Sequence, residues 1–253
     1  MILDRFKLDG KVALVTGGTR GLGAAMAVAL AEAGADVALV ARDIAHDETK
    51  RRIASLGRRV LDIACDVGDP AQRAGLIDRV VTELGQLDIL VNNAGGGTRH
   101  PPEAYPLDEW RQLLEVHLLA AMDLAQQAAR HMLPRGRGKI INIGSIMCEE
   151  GGWNISAYAA AKHAIAGLTK SLATSWAARG IDVNCIAPGY FETTFSHVLK
   201  NDPVRGPQIL DRIPKGRWGR PEELAGLVVF LASDACQYMN GSIVAIDGGW
   251  LAR

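Results

Sequence analysis

A chain of 253 residues is long enough to bury a full core, in one domain or two. Its 28 Lys and Arg balance 28 Asp and Glu, which argues against a nucleic-acid or membrane-surface partner, since both need a basic face. Cys65, Cys148, Cys185 and Cys236 are too widely spaced for a CxxC pair or a zinc set, so they read as reduced thiols of a cytoplasmic protein that holds no metal.

Residues 1–10 are mixed and charged, with no apolar stretch ahead of the first strand, which predicts a chain without a secretory signal. A strand is expected over 11–16, then a helix over 22–33 that Gly34 stops. A strand over 37–41 and a polar helix over 46–56 follow, then a strand over 59–65 and a helix over 70–84. The fourth strand, 87–91, leads to a long helix between Pro106 and Pro134. The most apolar part of that helix carries Glu115, His117 and Asp123, so it does not suit a bilayer. Next come a strand over 139–143, a helix over 156–178 closed by Gly180, and a strand over 181–187. Helical turns fill 194–213, a helix covers 221–233, and a last strand covers 242–246. This βαβα order has no break in composition. It implies one doubly wound α/β domain of the Rossmann type, with a parallel seven-stranded sheet and helices on both faces. The least regular stretch, 190–217, reads either as a substrate lid or as a plain surface excursion.

Strand one ends in Thr16-Gly17-Gly18-Thr19-Arg20-Gly21-Leu22-Gly23, and a helix follows at once. Glycines let the backbone approach a pyrophosphate, and the amino end of the helix offers free N–H groups to its charge. Further along stand Asn92-Asn93-Ala94-Gly95 after strand four, Ser145 after strand five, Tyr158 with Lys162, and Pro188-Gly189 with Thr193 after strand six. With these motifs in order, essentially the whole chain resembles the short-chain dehydrogenase/reductase family. The resemblance implies that Thr16, Gly17, Thr19, Arg20, Gly21, Leu22 and Gly23 cradle the dinucleotide phosphates and that Asp66 and Val67 flank the adenine. It implies that Asn93, Ala94 and Gly95 line the cofactor cleft, while Pro188, Gly189, Phe191 and Thr193 hold the nicotinamide. It also implies a homotetramer.

An NAD-selective site usually carries an acid at the end of strand two. Here Ala41 stands there, followed by Arg42. A guanidinium can pair with a 2′-phosphate, and Arg20 adds a second positive charge, so NADP is favoured over NAD. The alternative is that Arg42 is a loop residue paired with Asp43.

Tyr158 and Lys162 are four residues apart on a predicted helix and share one face. An ammonium beside the phenol, together with an oxidised nicotinamide, is expected to lower the tyrosine's pKa and make it the proton-transfer residue. Lys162 is also expected to bond the nicotinamide ribose, and Ser145 to donate to the substrate oxygen as charge develops there. One departure from the family is His117. An Asn that holds a relay water commonly sits there, seven residues after a Trp, here Trp110. An imidazole can donate at one nitrogen and accept at the other, so His117 either replaces that Asn or fills its space.

The substrate is expected between 96–102, 146–154 and the stretch from Tyr190 onward. Arg99 and His100 suit a carboxylate or a polyol, and the third segment contains Tyr190; the alternative for Arg99, slightly favoured, is a solvated loop charge. The runs Ile209-Leu210-Asp211-Arg212-Ile213-Pro214, Gly216-Arg217-Trp218-Gly219 and Asp247-Gly248-Gly249-Trp250-Leu251-Ala252-Arg253 resemble 2-dehydro-3-deoxy-D-gluconate 5-dehydrogenases. That resemblance implies a small sugar acid or keto sugar as substrate. A general ketone or 3-oxoacyl reductase is the alternative enzyme, and a dinucleotide-sensing protein without chemistry is the alternative of another class.

Overall fold

Seven apolar strands set the frame of the computed structural model, which describes residues 1–194 and 196–253. In chain order the elements begin with β1 (Val12–Thr16), α1 (Gly21–Glu32), β2 (Asp36–Ala41), α2 (Glu48–Ser55) and β3 (Val60–Ala64). Next are α3 (Pro70–Arg73), α4 (Leu76–Leu84), β4 (Ile89–Asn92), α5 (Leu107–Leu114), α6 (Ala120–Met132) and β5 (Gly138–Ile143). The chain closes with α7 (Ser156–Trp176), β6 (Ile181–Pro188), α8 (His197–Lys200), α9 (Arg205–Arg212), α10 (Ala225–Ala232) and β7 (Ile243–Ile246). The strands lie in the order β3-β2-β1-β4-β5-β6-β7, every pair parallel, as the alternation predicted.

Alternate strand residues face opposite layers. Ala13, Val15, Val37 and Leu39 pack on Met26 and Leu30 of α1 and on Val228 and Leu231 of α10. Val12, Leu14, Ala38 and Val40 pack on Ile77 and Val80 of α4 and on Leu124 and Ala128 of α6. Burial on both faces is why these strands read as unbroken apolar runs rather than as an alternating pattern. The order β3-β2-β1-β4 reverses direction between β1 and β4, so their carboxyl ends open a crevice at the switch point.

Two predicted helices are remodelled. The helix expected over 70–84 breaks at Gly75, whose φ of 71° a right-handed helix cannot accept. The break turns Arg73 inward, where it pairs with Glu115 at 2.7 Å and Asp123 at 2.6 Å and donates to the Val67 carbonyl at 2.8 Å. The long helix keeps its course from α5 to α6 through one π-helical segment, Glu115–Leu119. Such a widened turn re-aims one side chain, here that of His117. The turns expected over 194–213 become α8 and α9, and residue 195 lies outside the described residues. The excursion from residue 190 has its ends pinned together: Phe191 bridges Gly219, and the Gly219 amide donates to the Tyr190 carbonyl at 2.9 Å.

Candidate active site

The glycine turn between β1 and α1 is held from three sides. Gly17 N donates to Val40 O at 2.7 Å, Asn93 Nδ2 to Thr16 O at 2.8 Å, and Thr49 Oγ1 to Thr19 O at 3.1 Å. Thr16 Oγ1 accepts from the amides of Asn93 and Ala94, each at 2.9 Å. A methyl group on Gly23 would overlap the Gly17 carbonyl oxygen, so α1 closes on the turn only because glycine is there. Arg20 precedes α1 and gives it no side-chain cap, which leaves the first-turn amides and the positive end of the helix dipole to an outside anion. A dinucleotide pyrophosphate fits that cradle. Gly21 opens toward Thr193, whose Oγ1 is bonded to Ser196 at 3.1 Å.

Arg20 and Arg42 are exposed beside this turn. Asp43, the partner considered for Arg42, accepts instead from Ala45 N at 2.9 Å and lies 3.6 Å from His46 Nε2. Asp66 holds its own loop by accepting from Gly68 N, and Val67 is buried toward the crevice. Beyond β6, Gly189 lies against Asp247, and the Phe191 ring is buried against Gly219. Phe191 therefore commits its side chain to core packing.

Ser145, Tyr158 and Lys162 meet at the carboxyl ends of β5 and β6. Ser145 Oγ accepts from Met147 N at 3.2 Å and so caps the short turn Ile146–Cys148. A cap uses a lone pair and leaves the O–H free to donate. Lys162 is buried, donates from Nζ to Ile143 O at 2.6 Å, and stands 5.5 Å from the centroid of the Tyr158 ring. The Cys148 thiol donates to Lys162 O at 3.1 Å and fixes that turn of α7.

Burial pushes the Tyr158 phenol up to about 12, against the pull of the Ser145 hydrogen bond. Burial also brings the Lys162 ammonium down to about 8. The ammonium sits over the ring and is bonded to Ile143 O, and the expected lowering of the phenol's pKa rests on the charge of an oxidised nicotinamide as well as on this ammonium.

His117 enters the same pocket from the π-helical segment. Its Nε2 lies 2.7 Å from Gly96 O, a geometry that makes Nε2 the donor, and its ring meets Tyr158 edge-on at 5.4 Å. Burial, then the Lys162 charge, holds its pKa at about 3, so the imidazole is neutral. Nδ1 is buried without a partner among the described residues, and so is Asn92 Oδ1. Both side chains line a cavity of about 10 Å³ that Lys162, Thr16 and Val67 also border. A cavity of this size has room for one water. Gly95 makes room for His117, because a Cβ there would strike the imidazole.

The outer rim draws on segments far apart in sequence. Arg99 Nη1 donates to Trp153 O at 3.3 Å, and His100 N to Asn154 O at 3.0 Å, which zips the loop after β4 to the loop after β5. The His100 ring is engaged elsewhere, with Glu109 at 2.9 Å and the edge of Tyr105. Tyr190 packs between Trp218 and Trp250, with ring centroids at 5.2 and 4.7 Å. Glu150 is tied to Trp250 Nε1 at 2.5 Å and to Arg212 at 2.8 Å, so its charge is answered within the wall. Asn92, Trp153, Arg205, Trp218 and Trp250 were not singled out as site residues from sequence. Asn92, Trp218 and Trp250 at least lie within recognisable motifs, whereas Trp153 and Arg205 lie in none.

A family model described as enoyl-(acyl carrier protein) reductase matches residues 17–251. The chain is 44% identical over 254 residues to the 2-dehydro-3-deoxy-D-gluconate 5-dehydrogenase of Dickeya dadantii, with 100% of both chains covered. It is 46% identical over 250 residues to the Bacillus subtilis protein of that name, covering 99% of this chain and 98% of the other. A gluconate 5-dehydrogenase from Burkholderia cenocepacia, solved in complex with NADP and tartrate, superposes with a TM-score of 0.95 at 42% identity, over 100% of each chain.

Proposed function

The chain belongs to the short-chain dehydrogenase/reductase family, and from that premise we propose that it interconverts a secondary hydroxyl and a ketone on a small sugar acid, with NADP as its dinucleotide. The observation that carries this reading is the meeting of Ser145, Tyr158 and Lys162 in one pocket with Arg99 at its rim. The sugar-acid enzymes among its relatives support the substrate class. NADP is supported by Arg20 and Arg42, which have no carboxylate within 4.0 Å among the described residues, and by the NADP in the related Burkholderia structure.

In this proposal the glycine turn and the amino end of α1 hold the phosphates, Arg42 and Arg20 the 2′-phosphate, and residues 188–193 the nicotinamide side. When bound, NADP exchanges the hydride and in its oxidised form adds a positive charge beside the phenol. Ser145 donates to the substrate oxygen. Tyr158, held protonated by burial, gives its proton to that oxygen in reduction and takes it back in oxidation. Lys162 keeps donors beyond the one on Ile143 O, and these reach toward the cofactor and the small cavity. A water held there by Asn92 Oδ1, His117 Nδ1 and Lys162 links Tyr158 to solvent, so His117 takes the relay position.

Residues 190–217 form the substrate lid in this reading, supported by their pinned ends and by the Tyr190 ring at their base. We also propose a homotetramer, supported by exposed Leu107 and Leu119 on the long helix, and a cytoplasmic setting, supported by four unpaired cysteines. Among the described residues no helix is long and apolar enough to cross a membrane.

A spectrophotometric screen tests the reading. Purified protein with NADPH or NADH is offered keto sugar acids, neutral keto sugars and simple ketones. Turnover of sugar acids with NADPH is expected. Turnover of hydrophobic ketones alone would make it a general ketone reductase, and dinucleotide binding without turnover would make it a sensor.

A further inference from the structure

Two arginines at the cleft mouth share one tryptophan. Arg99, on the loop after β4, donates to the Trp153 carbonyl at 3.3 Å. Arg205, the first residue of α9, lies over the Trp153 ring with its guanidinium carbon 5.0 Å from the centroid. Trp153 itself is 67% exposed, so its ring is open to both arginines from the cleft mouth. Among the described residues neither guanidinium has an acid within 4.0 Å. The acids nearby are already engaged. Glu150 is held by Arg212 and Trp250, and Asp202 accepts the amides of Val204 and Arg205 at 2.9 and 2.7 Å.

The two charges act on one another and on the pocket. Arg99 is held below the ordinary guanidinium range by partial desolvation and then by Arg205, with Tyr190 and Tyr158 pulling the other way. The Tyr190 phenol, raised by burial, feels Arg99 and Arg205 as well. Two like charges brought together on separate loops repel unless an anion sits between them. A carboxylate with two oxygens suits a pair of guanidiniums.

We propose that Arg205 and Arg99, braced on the two sides of Trp153, form a clamp for the carboxylate of the substrate and set the enzyme's preference for acids over neutral polyols. The inference rests on the sugar-acid reading and adds to it a residue on α9. It also gives the excursion after β6 a chemical role. The substrate's carboxylate ties α9 to the loop after β4, while the carbon to be oxidised or reduced lies deeper, at Tyr158.

The test compares wild type, Arg205→Leu and Arg205→Lys on paired substrates, a keto sugar acid and its neutral amide. For Arg205→Leu the KM for the acid should rise roughly 10- to 100-fold. Its kcat/KM on the amide and its thermal midpoint should stay close to wild type, since the side chain is partly exposed, has no acid partner among the described residues, and leucine keeps apolar contact with the Trp153 ring. Arg205→Lys should recover part of the loss on the acid. Equal losses on acid and amide, or none on either, overturn the clamp and leave the sugar-acid reading standing. A wild type that turns over neutral ketones and no sugar acid overturns both.

Discussion

The two sides of the crevice treat their polar groups in opposite ways. At the glycine turn, Thr16, Asn93 and Thr49 bond to backbone atoms of the turn or its neighbour, so the cradle is stiff before any ligand arrives. At the substrate rim, Arg99 and Arg205 rest on Trp153 with no acid beside them. The first arrangement suits a ligand common to a whole family, since rigid backbone donors need no side-chain choice. The second leaves charge uncompensated, which the proposed clamp uses to select among substrates. Between the two lie half-buried Tyr158 and buried Lys162 and His117, whose proton affinities are set mainly by desolvation.

The sharpest way to probe this contrast is at its middle. Tyr158→Phe removes the proton donor and leaves the ring, so kcat should fall roughly 10²- to 10⁴-fold. NADPH affinity, measured by fluorescence titration, should stay near wild type. On the stiff side, Gly23→Ala forces the turn away from Gly17 O, and NADPH affinity should drop roughly 100-fold. A small change there would mean that the turn is softer than its bonding implies. Arg42→Ala tests the rim of the same half. NADPH binding should weaken roughly tenfold while NADH binding holds, and equal effects on both would remove the 2′-phosphate contact.

The glycine turn, the Tyr158–Lys162 pair and the alternation of strands and helices were all legible because each rests on local spacing or on apolar runs. Ser145 was legible too, and the cap it gives to Met147 N leaves its hydroxyl proton free to donate. The π-helical segment was not, since a single widened turn leaves the apolar period of α5 and α6 almost unchanged. Nor was the wall of Trp153, Arg205, Trp218 and Trp250, which comes together only when four distant segments fold onto one edge. The raising of the Tyr158 pKa by burial was not legible either. Proximity to Lys162 can be counted along a helix, but the depth of burial cannot.

The smallest expected effect on turnover belongs to His117, which acts mainly on stability. Burial keeps it neutral down to about pH 3 in the folded chain, while the unfolded chain takes up a proton near 6.5. Its contribution to stability is therefore complete above pH 6.5 and is lost as the pH falls toward 3, by up to roughly 5 kcal/mol. His117→Asn should flatten that acid-side loss in denaturant melts. It should also keep activity with a shifted pH profile, and an unchanged profile would take His117 out of the relay.

The most direct check on the central claim is a crystal structure with NADP and a sugar acid bound together. The phenol oxygen of Tyr158 should stand within about 3 Å of the substrate oxygen that gains or loses the proton, with the nicotinamide on the adjoining carbon. A hydroxyl remote from the reacting carbon, or a substrate seated away from Ser145 and Tyr158, would contradict the account.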